Sequence, residues 1–191
     1  MRIIGGKWRG RRLLAPKTAA IRPTADRARE SLFNMLAHGV ATLNGATVAD
    51  ICAGTGALGF EALSRGAARA VFVDQNPAAL ELARRNAAVL GAEDAAKIIR
   101  ADACRLPPAE APVDLAFLDP PYRQGLILPT LAALHRQGWL KAGSVVVIEI
   151  GHDEDVALPP FLDAVKDRTV GEAKLVVTVV KSPFPKNIPS P

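Results

Sequence analysis

Residues 46–66 read ATVADICAGTGALGFEALSRG, and how they are interpreted decides the fold. ATVADIC (46–52) is a short, mostly apolar run and reads as a strand. Gly54, Gly56 and Gly59 follow in the spacing GxGxxG, and ALGFEALSRG (57–66) reads as a helix stopping at Gly66. A strand that turns through glycines straight into a helix opens a βαβ unit, in which the glycines let the backbone approach a ligand and the helix offers its free N–H groups.

The same alternation continues down the chain. RAVFVD (69–74) is a strand, and NPAALELARRNAAVLG (76–91) is a helix with Asn76 as N-cap, Pro77 in the first turn and Gly91 as its stop. KIIRAD (97–102), VDLAFLD (113–119), SVVVIEI (144–150) and EAKLVVTVVKS (172–182) are strands. Residues 125–140 read as a helix interrupted by Pro129. Upstream, RPTADRARESLFNMLAHG (22–39) reads as a helix capped by Thr24 and stopped at Gly39; Ala28, Leu32, Met35 and Leu36 fall on one face, and Arg27, Glu30 and Asn34 on another. Apolar strands alternating with helices predict an α/β, Rossmann-like fold: a mostly parallel sheet with helices on both faces and an antiparallel late strand.

Composition narrows the class. No apolar run is long enough to span a membrane, and MRIIGGKWRGRRLL has charges where a signal peptide needs apolar residues, so a soluble, cytoplasmic protein is expected. Cys52 and Cys104 read as two buried thiols, and the three histidines match no metal-ligand spacing, so no metal is expected. The charge is concentrated. Residues 1–30 hold nine Lys/Arg against two acids, and the rest holds fifteen against seventeen. This divides the chain into a basic N-terminal arm (1–23), a catalytic domain (24–182) and a proline-rich tail (183–191) read as disordered. Arginine, glycine and an aromatic together suit single-stranded or looped RNA, which makes Arg2, Lys7, Trp8, Arg9, Arg11, Arg12 and Arg22 the candidate RNA contacts, with Trp8 as a stacking platform.

Acids sit where the strands end. Asp74 follows Gly54 by 20 residues, the spacing at which a carboxylate accepts ribose hydroxyls. Asp50 lies four residues before Gly54, poorly placed beside a pyrophosphate but suited to an ammonium and a sulfonium. Asp102 ends the third strand and could accept from an adenine amino group. With Ala53, Thr55, Gly56, Gln75 and Ala103 these form the candidate cofactor site, and they favour S-adenosylmethionine over a dinucleotide.

LDPPY (118–122) ends the fourth strand at the same edge. DPPY resembles the amino-methyltransferase motif of class I S-adenosylmethionine-dependent enzymes. RIIGGKWRGRRL (2–13), RPTADRARESLFNML (22–36), DICAGTGALGFEALSRGA (50–67) and QGWL (137–140) resemble the bacterial RsmD family, over most of the chain from Arg2 to about Lys181. That resemblance implies the class I methyltransferase fold with a seven-stranded sheet, and methylation of guanine N2 in 16S rRNA, within an assembled or assembling 30S subunit. In the chemistry this motif implies, Asp119 and the Pro120 carbonyl accept from the two hydrogens of the amine, beside Pro121, and Tyr122 offers a ring face to the base. Residue chemistry alone does not choose guanine over adenine. Nothing demands more than a monomer.

Overall fold

The computed structural model describes residues 1–16 and 23–182; Arg22 and the tail from 183 lie outside them. Seven strands form one sheet: β1 (Thr47–Ile51), β2 (Arg69–Asp74), β3 (Ala96–Arg100), β4 (Val113–Leu118), β5 (Leu140–Gly151), β6 (Leu162–Val170) and β7 (Ala173–Val180). Their order is β3-β2-β1-β4-β5-β7-β6. The first five run parallel, β7 is antiparallel to both β5 and β6, and the predicted fold class is met. The order reverses between β1 and β4, where open α/β sheets bind ligands.

Both faces of the sheet are covered. α1 (Pro23–Met35), α2 (Ala57–Ser64) and α3 (Pro77–Leu90) pack on the face carrying Val48, Phe72, Phe117 and Val147. α4 (Ile127–Arg136) packs on the face carrying Ala49, Ala116, Leu118 and Ile148. Residues of alternate parity from each strand feed the two cores, which is why the strands read as continuous apolar runs. In α1, Ala28, Leu32, Met35 and Leu36 are buried as the periodicity requires, and the helix loosens into a wide turn, Leu36–Val40, in which Gly39 takes φ +91°. The helix starts at Pro23, so Thr24 lies in its first turn and is not its cap. α3 matches its local signals: the Asn76 side chain accepts from Ala78 N, Pro77 is the first helical residue and Gly91 is left-handed.

Three further features depart from what the sequence led one to read or left unread. Pro129 does not interrupt α4; it is the third residue, where a missing N–H costs no helical bond. β6 carries no apolar run, and it forms because β7 supplies a backbone ladder at the edge of the sheet. The N-terminal segment is packed into the fold rather than extended from it. Ile3, Trp8 and Leu13 are buried in the core, and Arg2 bridges Arg12 as a short antiparallel pair.

Candidate functional site

The carboxyl ends of β1, β2, β3 and β4 open into a cleft of about 690 Å3, lined by Val73–Asn76, Ala101–Cys104, Asp119–Tyr122, Cys52, Gln124 and Leu126. Of the predicted cofactor residues, Asp74, Gln75, Asp102 and Ala103 line this cleft, as do all four DPPY residues. Asp50, Ala53, Gly54, Thr55 and Gly56 are not among its lining residues.

The glycine loop is shaped by its neighbours. Gly54 takes φ +54°, and a Cβ there would meet open space, so only the backbone conformation disfavours a side chain. Gly56 caps α2 at φ +78°, where a Cβ would lie 2.6 Å from the Phe60 ring. At Gly59 a Cβ would lie 2.4 Å from Phe72, so this glycine lets α2 press onto β2.

Asp74 ties the loop to the cleft. Its Oδ2 accepts from Gly54 N at 2.9 Å and its Oδ1 from Asn76 N at 2.8 Å. Each oxygen keeps a lone pair for a further donor. Asp102 is exposed, and its Oδ1 accepts from Cys104 N at 2.9 Å, capping a single turn at Ala103–Arg105. Asp50 departs from expectation. It lies inside β1, only 2% exposed, and its Oδ2 accepts from Gly59 N at 2.8 Å, so it steadies the loop from behind instead of facing the cleft. Burial, with a smaller push from Asp74, raises its carboxyl to about 7 against the Gly59 N–H. The cysteines are half-buried cleft residues and not core thiols. Burial and the charges of Asp74, Asp119 and Asp50 push the Cys52 thiol up to about 12, so it stays protonated.

Asp119 follows β4 directly and its backbone N–H reaches Ile51 O. Asp119 is exposed at the edge of the cleft, and the protein around it desolvates its carboxyl. Desolvation, then Glu149, then Asp50 hold its carboxyl well above the usual carboxylate range. Pro120 is buried and Pro121 exposed. The Tyr122 hydroxyl donates to Glu149 Oε1 at 2.7 Å, which fixes the ring at the cleft wall. Burial raises Glu149, and burial together with the Glu149 bond raises Tyr122, so neither gives up its proton as readily as in water. The loop beyond is latched: Arg123 N donates to Glu154, and the Arg123 guanidinium donates to both oxygens of Asp153.

Glu149 was missed by the sequence reading. Its signal was a single acid inside the apolar run VVVIEI, at the end of a strand next to LDPPY.

The N-terminal segment is held by α2 and α3. The buried Glu61 carboxylate accepts from Ile4 N and Gly5 N at 2.8 Å each and from Arg65 Nε at 2.7 Å. Ser64 Oγ accepts from Trp8 N and donates to Gly5 O. Asn86 accepts from Leu14 N and donates to Leu14 O and Thr55 O, which links the segment to the glycine loop. Trp8 is therefore a core residue, 9% exposed, with Lys7 Nζ lying 4.3 Å from its ring centre. Its ring face is not free to stack on a base. Arg2, Lys7, Arg9, Arg11 and Arg12 are all exposed.

The family model described as Conserved hypothetical protein 95 matches residues 1–179. The chain is 41% identical over 150 residues to ribosomal RNA small subunit methyltransferase D of Escherichia coli K12, covering 78% of this chain and 74% of that one. It is 32% identical over 175 residues to the protein of the same name from Haemophilus influenzae, covering 90% and 89%. The solved structure of yhhF from Escherichia coli superposes with a TM-score of 0.81 at 31% identity, over 95% of this chain and 98% of that one. The match spans the N-terminal segment, the glycine loop and DPPY alike, and the chain belongs to the RsmD family, the one described as Conserved hypothetical protein 95.

Proposed function

We propose that this protein transfers a methyl group from S-adenosylmethionine to the exocyclic N2 of a guanine in 16S rRNA of the small ribosomal subunit. One observation carries the reading: the Asp119–Pro120 edge and the Asp74–Asp102 ledge line a single cleft. A donor held on one side lies against an amine held on the other. The names of the relatives, ribosomal RNA small subunit methyltransferase D, support rRNA as the substrate.

The residues present fit S-adenosylmethionine. A volume of about 690 Å3 lies within the roughly 300–1,000 Å3 of small-ligand sites. Asp74 retains acceptor capacity for ribose hydroxyls, Asp102 for an adenine amine, and the space beside Gly54 is open. When bound, the cofactor supplies an electrophilic methyl on a sulfonium.

The protein's part is to make a poor nucleophile reactive. A guanine amine is delocalised into its ring. Asp119 and the Pro120 carbonyl accept from its two hydrogens and draw the nitrogen toward a pyramidal geometry, while Tyr122 supports the ring of the base. A carboxyl held above its usual range is a better proton acceptor than an ordinary aspartate, so Asp119 suits removal of the proton once the nitrogen bears charge. The exposed Arg2, Lys7, Arg9, Arg11 and Arg12 suit a phosphate backbone; Arg22 belongs to the same set but lies outside the described residues. A base inside structured RNA has to be flipped out to reach Asp119. The substrate in this reading is the assembled or assembling 30S subunit, and the enzyme acts as a monomer.

Labelled-methyl transfer to small subunits, followed by nucleoside analysis, tests the proposal. Label in N2-methylguanosine is the expected result. Label in N6-methyladenosine, or none in any RNA, overturns it.

A further inference from the structure

We propose that Glu149 selects guanine by accepting the N1–H of the base whose N2 amine Asp119 holds. The inference rests on the reading of the cleft as a base-methylating site and adds the residue that makes the choice.

Register brings the two acids together. Leu118 of β4 pairs with Ile148 of parallel β5, so the next residues, Asp119 just past the end of β4 and Glu149 within β5, stand side by side. Neighbouring strands lie about 4.8 Å apart, which brings two carboxylates to one edge. After desolvation, the charge of Glu149 is the strongest influence on Asp119.

Glu149 is also under-supplied with partners. Oε1 accepts from Tyr122, and among the described residues no other group bonds to this side chain. The nearby Arg123 guanidinium is occupied by Asp153. A half-buried carboxylate in an apolar strand, with one tyrosine hydroxyl and no cation, carries a desolvation cost that a further donor would relieve. Glu149 lines a cavity of about 160 Å3 whose wall, Pro120–Tyr122, also borders the cofactor cleft. That volume is below the roughly 300 Å3 at which sites for drug-sized ligands begin, and suits a single base edge.

The chemistry distinguishes the purines. Guanine presents N1–H and N2–H2 as adjacent donors, matching two adjacent carboxylates. Adenine presents a lone pair at N1, which would face Glu149 acceptor to acceptor and leave the carboxylate unpaired. A site built to receive a donor rejects the analogue that lacks it.

The test uses small subunits reconstituted with 16S rRNA carrying either guanine or 2-aminopurine at the methylated position. 2-Aminopurine keeps the exocyclic amine and lacks N1–H. The wild-type protein should prefer guanine by about 10- to 100-fold in kcat/KM, the scale of one hydrogen bond to a charged group. Glu149→Ala should bring that ratio close to one. Glu149→Gln, which keeps an oxygen acceptor, should retain part of it, and Tyr122→Phe, which keeps the ring but releases Glu149, should lower it. An unchanged ratio in Glu149→Ala overturns the inference. If that variant is inactive on both substrates, an unchanged ratio in Glu149→Gln and Tyr122→Phe overturns it equally. Failure of the wild type to methylate guanine at all would instead refute the underlying function.

Discussion

Asp50 offers a test of how the glycine loop is held. Its carboxyl stands at about 7 in the folded protein, against 3.8 for an ordinary aspartate. Between those values the native state keeps a proton that the unfolded chain has lost. Stability contributed by this group is therefore complete below about pH 4 and is lost as pH rises through about 7. At about 1.36 kcal/mol for each tenfold change, the loss amounts to about 4 kcal/mol. Asp50→Asn keeps an oxygen to accept from Gly59 N and cannot ionise. Its buried amide hydrogens carry a fixed cost, so the informative quantity is the change with pH and not the absolute difference. Urea unfolding at pH 5, 6, 7 and 8 measures it. The variant should gain on the wild type by about 2–3 kcal/mol between pH 5 and 7 and level off above that. Parallel pH profiles for the two proteins would refute the assignment, because they would mean that Asp50 titrates alike in the folded and unfolded states. The same residue links to the proposed cofactor. A cationic ligand near the loop favours the ionised form, so binding near pH 7 should release a proton, and this should vanish in Asp50→Asn when calorimetry is repeated in buffers of different ionisation enthalpy.

Asp119→Ala should abolish methyl transfer while cofactor affinity stays close to wild type, and the wild-type rate should climb with pH through a point above the ordinary carboxylate range as Asp119 ionises; turnover near normal in the variant would remove its acceptor role. Asp74→Ala should weaken S-adenosylmethionine binding by about tenfold or more, since hydrogen bonds to a charged acceptor disappear, and calorimetry showing equal affinity would count against the ribose contact. Neutralising Arg9, Arg11 and Arg12 together should weaken RNA binding and flatten its logarithmic salt slope by about 2–3, roughly one unit for each phosphate no longer neutralised; an unaltered slope would make these residues solubilising only. Trp8→Ala should lower stability by about 3 kcal/mol, measured by thermal or urea unfolding, because the indole fills core volume.

What the sequence revealed, and what it hid, follows the range of the forces involved. α3 was legible to the residue because Asn76, Pro77 and Gly91 act within one turn of themselves. The places of Asp74 and Asp119 at the carboxyl ends of their strands were legible because each closes an apolar run. β6 was hidden: LDAVKDRTV carries charges on an exposed edge, and its pairing to β7 is a backbone matter that side-chain pattern does not report. Trp8 was misread for a related reason. An aromatic among arginines looks like a stacking platform, and the partner that holds its backbone inside, Ser64, lies 56 residues away. Asp50 was assigned a place in the cleft by its proximity to Gly54, but the alternation of the strand turns it onto the α2 face. Glu149 carried a signal that only acquired meaning once β4 and β5 were neighbours.

The pegging of residues 1–14 by Glu61, Ser64 and Asn86 has a consequence for how such a protein can be remade. A loose basic tail is portable; it can be trimmed, duplicated or grafted onto another catalytic body. Here the basic surface is a veneer whose fasteners belong to the helices beneath it. Removing it would strip the cover from the α2 face and leave the carboxylate of Glu61 without two of its donors. Transplanting it would require carrying Glu61, Ser64 and Asn86 along, and with Asn86 a bond to the glycine loop itself. In this chain the basic surface and the fold beneath it are a single inheritance.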